Sequence, residues 1–138
     1  LINVIPNQAV MTVDLRNTDG QRLRDAQAEV LAFARAMALR SGVQFQHRQL
    51  ADFAPVAFDA DLVASVERHA RAQGLSTLRM PSGAGHDAQM LARVCPTAMV
   101  FVPSAGGLSH NVREHTAPEQ LEQGANVLLQ VLLERAGR

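Results

Sequence analysis

The first fifty residues carry a strand–helix–strand pattern, and this pattern constrains the fold more than any other feature of the sequence. Residues 9–16 (AVMTVDLR) alternate apolar and polar side chains, the period of a half-buried strand with Met11, Val13 and Leu15 on one face. An Ala-rich stretch with apolar residues at three- and four-residue spacing follows, and residues 43–50 (VQFQHRQL) alternate again. A helix that crosses between two strands of one sheet makes them parallel, so we predict a β-α-β unit.

The rest of the chain is predicted to alternate helices with strands behind a linker at residues 51–59. In chain order, its first segments are a helix ended by Gly74, a short strand at 75–80, and a glycine loop at 82–88 that opens a third helix running through Val94. An apolar buried strand at 97–102, a histidine loop at 103–115, and a final helix follow, and the start of that helix carries the capping-box spacing of Thr116 and Glu119. We predict an α/β fold, with one part at residues 1–52 and a second at 53–138.

Composition excludes several classes of protein. The 13 basic residues equal the 13 acidic residues, so no general field attracts nucleic acid. One cysteine cannot form an internal disulfide, and we expect Cys95 to be a packed core thiol. No apolar stretch approaches the roughly 20 residues that cross a bilayer, and the first residues lack the features of a signal peptide. We therefore expect a cytoplasmic protein without nucleic-acid or membrane partners.

Two polar loops follow the predicted strands of the second part, where ligands collect in open α/β sheets. In the glycine loop, small residues let a ligand approach the backbone, and a substrate carboxylate is the simplest occupant. The alternative is a tight turn in which Gly83 and Gly85 only supply positive φ. In the histidine loop, His110 is a candidate metal ligand or base, but zinc requires three or four ligands and a solvated loop histidine is the alternative.

The other polar residues have plainer interpretations when they are considered alone. His47 and His69 are predicted to be ordinary surface or core histidines on a strand and a helix. Arg16, at the end of a strand, can bind a carboxylate through two hydrogen bonds, and Asn3 can both donate and accept. Without further context, Arg16 is a solvated strand-end residue.

Four motifs taken together give these residues a context. NVIP (3–6), DLR (14–16), MPSGAGHDAQ (80–89) and GGLSHNVREHT (106–116) resemble the hydantoinase/carbamoylase amidohydrolases, which include N-carbamoyl-L-amino-acid hydrolases, allantoate amidohydrolases and β-alanine synthases and are related to dinuclear zinc exopeptidases. The match runs from Ile2 to the final helix. Residues 111–113 depart from the family pattern, which is closer to G-[IL]-S-H-S-P-x-E.

The resemblance implies a role for each candidate residue. Asn3 and Arg16 resemble a substrate-orienting pair on a dimerisation (lid) domain, with Arg16 binding the substrate carboxylate. The backbone of Gly83, Ala84 and Gly85 resembles a second substrate clamp. His110 resembles a metal ligand from the end of the catalytic domain. By the resemblance, residues 1–52 are the latter part of the lid domain and 53–138 the C-terminal part of the catalytic domain.

The resemblance also implies what is missing. The family's other metal ligands and its glutamate base precede every motif found here, so we expect a C-terminal fragment, without a catalytic residue or bound metal of its own, of a homodimeric enzyme holding two zinc or manganese ions. A start at Leu1 rather than Met agrees with that expectation. The implied reaction is hydrolysis of an N-carbamoyl or ureide C–N bond. The alternatives are a peptidase or aminoacylase of the same superfamily, and a non-catalytic dimerisation fragment.

Overall fold

The structure is a computed structural model that describes residues 3–137, so Ile2, where the family resemblance begins, lies outside the described part. The chain divides into two compact units, Leu1–Pro55 (unit 1) and Val56–Arg138 (unit 2). Its regular elements are α1 (Gly20–Ser41), α2 (Ala60–Ala72), α3 (Ala88–Leu91), a 3-10 turn (Ala105–Gly107) and α4 (Pro118–Ala136). Among the described helices, none combines the length and apolar character needed to span a membrane.

Helix α1 of unit 1 forms where its sequence predicts. The side chain of Asp19 accepts hydrogen bonds from the backbone N–H groups of Gln21 (2.8 Å) and Arg22 (3.1 Å), which would otherwise lack a partner in the first turn. Gly42 ends the helix with φ 65°, a left-handed conformation that glycine adopts without steric cost. The helix prediction is confirmed at both ends.

The four segments predicted as strands (9–16, 43–50, 75–80 and 97–102) are not paired into a sheet within residues 3–137. Alternation specifies which side chains share a face, but a strand also needs a neighbouring backbone to pair its N–H and C=O groups. As a result, Met11 and Val13 are 84% and 58% exposed instead of half-buried. The predicted β-α-β unit is not confirmed; α1 is flanked by unpaired segments.

Helices α2 and α4 pack against each other and provide most of the buried residues of unit 2. Three apolar side chains, Ala70, Val127 and Val131, are buried, and Ser65 on α2 is fully buried. The Ser65 hydroxyl donates a hydrogen bond to Glu134 Oε2 on α4 at 2.8 Å. A buried hydroxyl without a partner would be costly, so this bond fixes the two helices in register.

Glu134 collects two further partners from α2. Arg68 Nη2 and His69 Nε2 each lie 2.7 Å from Glu134 Oε2. The hydrogen bond from Ser65, followed by those from His69 and Arg68, lowers the pKa of the Glu134 carboxyl to about 2. His69 is therefore a half-buried member of the contact between α2 and α4, in agreement with its ordinary structural interpretation.

The start of α4 differs from its prediction. Ala117 is the N-cap and makes no side-chain cap, while Pro118 occupies the first turn. The Thr116 hydroxyl donates instead to the carbonyl of Pro103 at 2.9 Å, so the predicted capping box is wrong. This bond ties the start of α4 to the beginning of the histidine loop.

Two smaller predictions are also corrected. Helix α3 spans only four residues, Ala88–Leu91, and does not reach Val94 as predicted. Cys95 is exposed, and its thiol lies 3.5 Å from the carbonyl of Leu91, so it is not a packed core residue. Residues 92–95 form a turn instead of continuing α3, and Pro96 disfavours helical backbone at Cys95.

Candidate functional site

The glycine loop is organised around the hydroxyl of Ser82. Ser82 Oγ lies 2.9 Å from His86 Nε2 and accepts a hydrogen bond from the Ala84 N–H at 3.3 Å. The Ala84 carbonyl lies 3.5 Å from the same oxygen. The Ser82 side chain therefore contacts both Ala84 in the middle of the loop and His86 near its end.

The glycines of this loop are not explained by turn geometry. Among the described residues, the glycines with positive φ are Gly42, Gly74, Gly106 and Gly107, so the alternative in which Gly83 and Gly85 only supply positive φ is wrong. A Cβ at Gly83 would meet no atom within 4 Å, and one at Gly85 would meet only Gln89 Oε1 at 3.8 Å. Neither a positive φ nor packing requires glycine at positions 83 and 85, which are both exposed.

The imidazole of His86 also contacts an aromatic ring. The ring centroids of His86 and Phe101 are 5.7 Å apart with an interplanar angle of 63°, an edge-to-face arrangement. Phe101 belongs to the segment that leads directly into the histidine loop. This contact places the glycine loop against the stem of the histidine loop within unit 2.

The histidine loop is closed at its base and holds His110 in an unusual conformation. The Ala105 N–H donates to the carbonyl of His115 at 2.7 Å, beside the bond between Thr116 and Pro103. His110 has φ 54°, the left-handed region, and no other described non-glycine residue has a positive φ. Its backbone N–H donates to Glu114 Oε2 at 2.8 Å. A left-handed φ is uncommon for residues other than glycine, and histidine adopts it more often than most of them.

His110 is not part of a cluster of three or more metal-binding side chains in the described part of the chain. Within residues 3–137, no three His, Cys, Asp or Glu side chains converge to hold an ion. A zinc site needs three or more protein ligands. These residues therefore do not fit a complete metal site by themselves, and His110 can supply one ligand at most.

Arg16 in unit 1 is exposed and paired with Asp14. Arg16 Nε lies 3.0 Å from Asp14 Oδ1, and Nη2 approaches Asp14 Oδ2. The hydrogen bond between the two groups lowers the pKa of the Asp14 carboxyl and raises the pKa of the Arg16 guanidinium. Asn3, the other candidate of unit 1, lies exposed in a turn.

The candidate residues thus fall into the two units, with Asn3 and Arg16 in unit 1 and the glycine loop and His110 in unit 2. Sequence reasoning missed two contributors, Ser82 and Phe101, and it also missed the pairing of Asp14 with Arg16. The pairing had a signal, because residues two apart share a face of an extended segment. The contact between His86 and Phe101 had none, because it joins two segments distant in sequence.

Comparison with known proteins identifies the family of the chain. The family model for peptidase family M20/M25/M40 matches residues 6–134. An N-carbamoyl-L-amino-acid amidohydrolase from Rhizobium meliloti is 41% identical over 134 residues, which are 97% of this chain and 32% of that protein. An allantoate amidohydrolase from Bacillus subtilis is 36% identical over 134 residues, which are again 97% of this chain and 32% of that protein. The chain therefore spans about a third of the length of these curated relatives.

Solved structures agree. A crystal structure of an amidase of the hydantoinase/carbamoylase family from Burkholderia vietnamiensis has 42% sequence identity and a TM-score of 0.80, covering 86% of this chain and 29% of that one. A second, from Burkholderia multivorans, has 40% identity and a TM-score of 0.81, covering 88% and 30%. The resemblance read from the four motifs is confirmed. The chain belongs to peptidase family M20/M25/M40, and its structural neighbours are amidases of the hydantoinase/carbamoylase group.

Proposed function

We propose that this chain is part of an amidohydrolase that cleaves the C–N bond of an N-carbamoyl-L-amino acid or a related ureide such as allantoate or β-ureidopropionate. The observation that carries the proposal is the glycine loop, in which Gly83 and Gly85 are required by neither φ nor packing. A small, planar carbamoyl or carboxylate group can approach such a backbone closely. The names of the relatives from Rhizobium meliloti and Bacillus subtilis support this substrate class.

In this proposal, Arg16 and Asn3 orient the substrate carboxylate. A guanidinium carries five N–H donors in a planar fork, so it can share its donors between Asp14 and a second carboxylate. The contact with Asp14 fixes the plane of the fork before substrate arrives. Asn3 adds an amide that donates to the carboxylate or accepts from the ureide N–H. Both residues select for substrates with a carboxylate beside the bond that is cleaved.

The proposed role of His110 is limited to one ligand of a divalent metal, zinc or manganese, in a site for two ions. The left-handed φ of His110 and the bond of its N–H to Glu114 fix the backbone from which the imidazole projects. The remaining ligands and the general base would come from outside residues 3–137. We assign no catalytic residue to the described part of the chain.

The proposed architecture follows from the same likeness. Residues 1–52 would form the latter part of a dimerisation (lid) domain with a β-α-β unit, and residues 53–138 the C-terminal part of a zinc-exopeptidase-like α/β domain. Strands that lack a partner here would pair with segments that the longer relatives contain. The whole protein would be a homodimer.

A chimera tests the function directly. Residues 3–137 replace the matching segment of the Rhizobium meliloti relative, and ammonia release is measured from N-carbamoyl-L-alanine and allantoate, with amine release from N-acetyl-L-alanine and a dipeptide. We expect turnover of a carbamoyl or ureide substrate. The unmodified relative is the control for folding and metal loading. Turnover of the N-acetyl substrate or dipeptide alone would refute the proposal and favour the aminoacylase or peptidase alternative.

A further inference from the structure

We propose that Ser82 is a positioning residue that fixes the substrate-clamping backbone of residues 83–85 and the ring of His86 in one arrangement. The inference rests on the proposed function, because it assigns that backbone to substrate. It goes further by naming the side chain on which the geometry of the clamp depends. Ser82 itself contacts no substrate atom in this proposal.

The hydroxyl of Ser82 has the hydrogen-bonding capacity for this role. A hydroxyl has one donor and two acceptor positions. Ser82 Oγ accepts the Ala84 N–H at 3.3 Å and contacts His86 Nε2 at 2.9 Å. These two bonds hold two points to the same oxygen, namely Ala84 in the middle of residues 83–85 and His86 just after them. Loss of that oxygen releases both points together.

The second half of the arrangement is the ring of His86. Its Nε2 faces Ser82, and its plane lies edge-to-face with Phe101. The imidazole is thus held by a hydrogen bond on one side and an aromatic contact on the other, and it is half-buried while its glycine neighbours are exposed. A ring held in this way fixes the direction in which the chain leaves the loop. Ser82 therefore controls both the clamp and its boundary.

Nuclear magnetic resonance on the full 138-residue chain tests the inference without any ligand. Ser82→Ala removes the shared oxygen, Ser82→Thr keeps it, and Ser76→Ala is a matched control, because Ser76 is an exposed serine of the same unit with no hydrogen bond. In Ser82→Ala, we expect the ring nitrogen shifts of His86 to change and the Ala84 amide to exchange with solvent several-fold faster, at the scale of one lost hydrogen bond. Ser82→Thr should restore both signals.

Titration of the same chains with N-carbamoyl-L-alanine separates the inference from the proposed function. We expect the amides of Gly83 and Gly85 to shift in the wild-type chain and in both controls, with an apparent Kd about fivefold higher in Ser82→Ala. Absence of any shift in the wild-type chain would refute the substrate role of the loop, while the ligand-free signals still judge the Ser82 contacts. Unchanged His86 and Ala84 signals in Ser82→Ala, or equal affinity in all four chains, would overturn the inference.

Discussion

The close approach of Gly124 on α4 to Val102 predicts how substitutions at these two positions change the free energy of unfolding. A Cβ added at Gly124 would overlap the Cγ1 methyl of Val102, and the next atom it would meet, Val102 Cβ, lies at 3.9 Å. Val102 is β-branched, so its methyl groups cannot rotate away freely. The clash is therefore specific to one methyl group, on the segment that leads into the histidine loop.

The magnitudes decide the sign of each substitution. Overpacking costs about 1–3 kcal/mol, and replacing a helical glycine with alanine gains about 1 kcal/mol, so Gly124→Ala should lower the free energy of unfolding by about 1 kcal/mol. Val102→Ala removes apolar contact from a half-buried position and should cost about 1 kcal/mol. In the Val102→Ala background the clash is gone, so Gly124→Ala should raise stability by about 1 kcal/mol. The two sites should couple by about 2 kcal/mol.

Urea unfolding of the four chains measures this coupling. The chain has no Trp or Tyr, so far-ultraviolet circular dichroism of the helices is the appropriate signal. A Gly124→Ala chain as stable as the wild type, together with a coupling energy below about 0.5 kcal/mol, would refute the close approach of α4 to the Val102 segment.

Three further predictions concern the carboxylate clamp, the helix pair and assembly. In the chimera, Arg16→Lys should lower kcat/KM about tenfold or more for N-carbamoyl-L-alanine but not for N-carbamoyl-ethylamine, which lacks the carboxylate; equal loss on both would make Arg16 structural. Because partners from α2 lower the pKa of Glu134 to about 2 from an ordinary 4.5, its contribution to stability should be complete above about pH 4.5 and be lost as the pH falls toward 2. Glu134→Gln should flatten that acid limb of the unfolding profile, and Glu122→Gln, an exposed change on the same helix, should leave it in place. Large apolar side chains are exposed in both units, and those in unit 1 include Ile5, Met11 and Leu39. We therefore expect the 138-residue chain to self-associate, and a monomer by light scattering at high concentration would contradict this.

Local sequence signals predicted the helices well because their determinants lie within one or two turns. Gly42 ends α1 in a left-handed conformation, and apolar spacing predicted that α2 and α4 are helices. The spacing did not predict the buried face of α4, where Val127 and Val131 are buried while Leu128 and Leu132 are exposed. The capping box at Thr116 failed because the carbonyl of Pro103, 13 positions away, provides an acceptor for the same hydroxyl. A local motif is reliable only when no tertiary partner competes for it.

The parts that could not be predicted all depend on distant partners. Alternation in residues 9–16 defines a face but does not say which backbone pairs with it, and no partner is present among residues 3–137. Ser65 meets Glu134 across 69 positions, and neither residue carries a pattern that indicates the other. The motifs predicted the two loops of the candidate site. They did not predict the arrangement of Ser82, His86 and Phe101, because the contact of His86 with Phe101 joins segments distant in sequence.

Replacement of His110 in the chimera tests whether this side chain is a metal ligand of the proposed amidohydrolase. The matched control is His115→Ala, because the structural contact of His115 is made by its backbone carbonyl and not by its ring. The measurement is kcat/KM for N-carbamoyl-L-alanine together with the metal content of each purified protein. We predict that His110→Ala abolishes turnover and lowers the metal content, while His115→Ala keeps both. Full turnover and unchanged metal content in His110→Ala would contradict the assignment of His110 as a metal ligand of the proposed amidohydrolase.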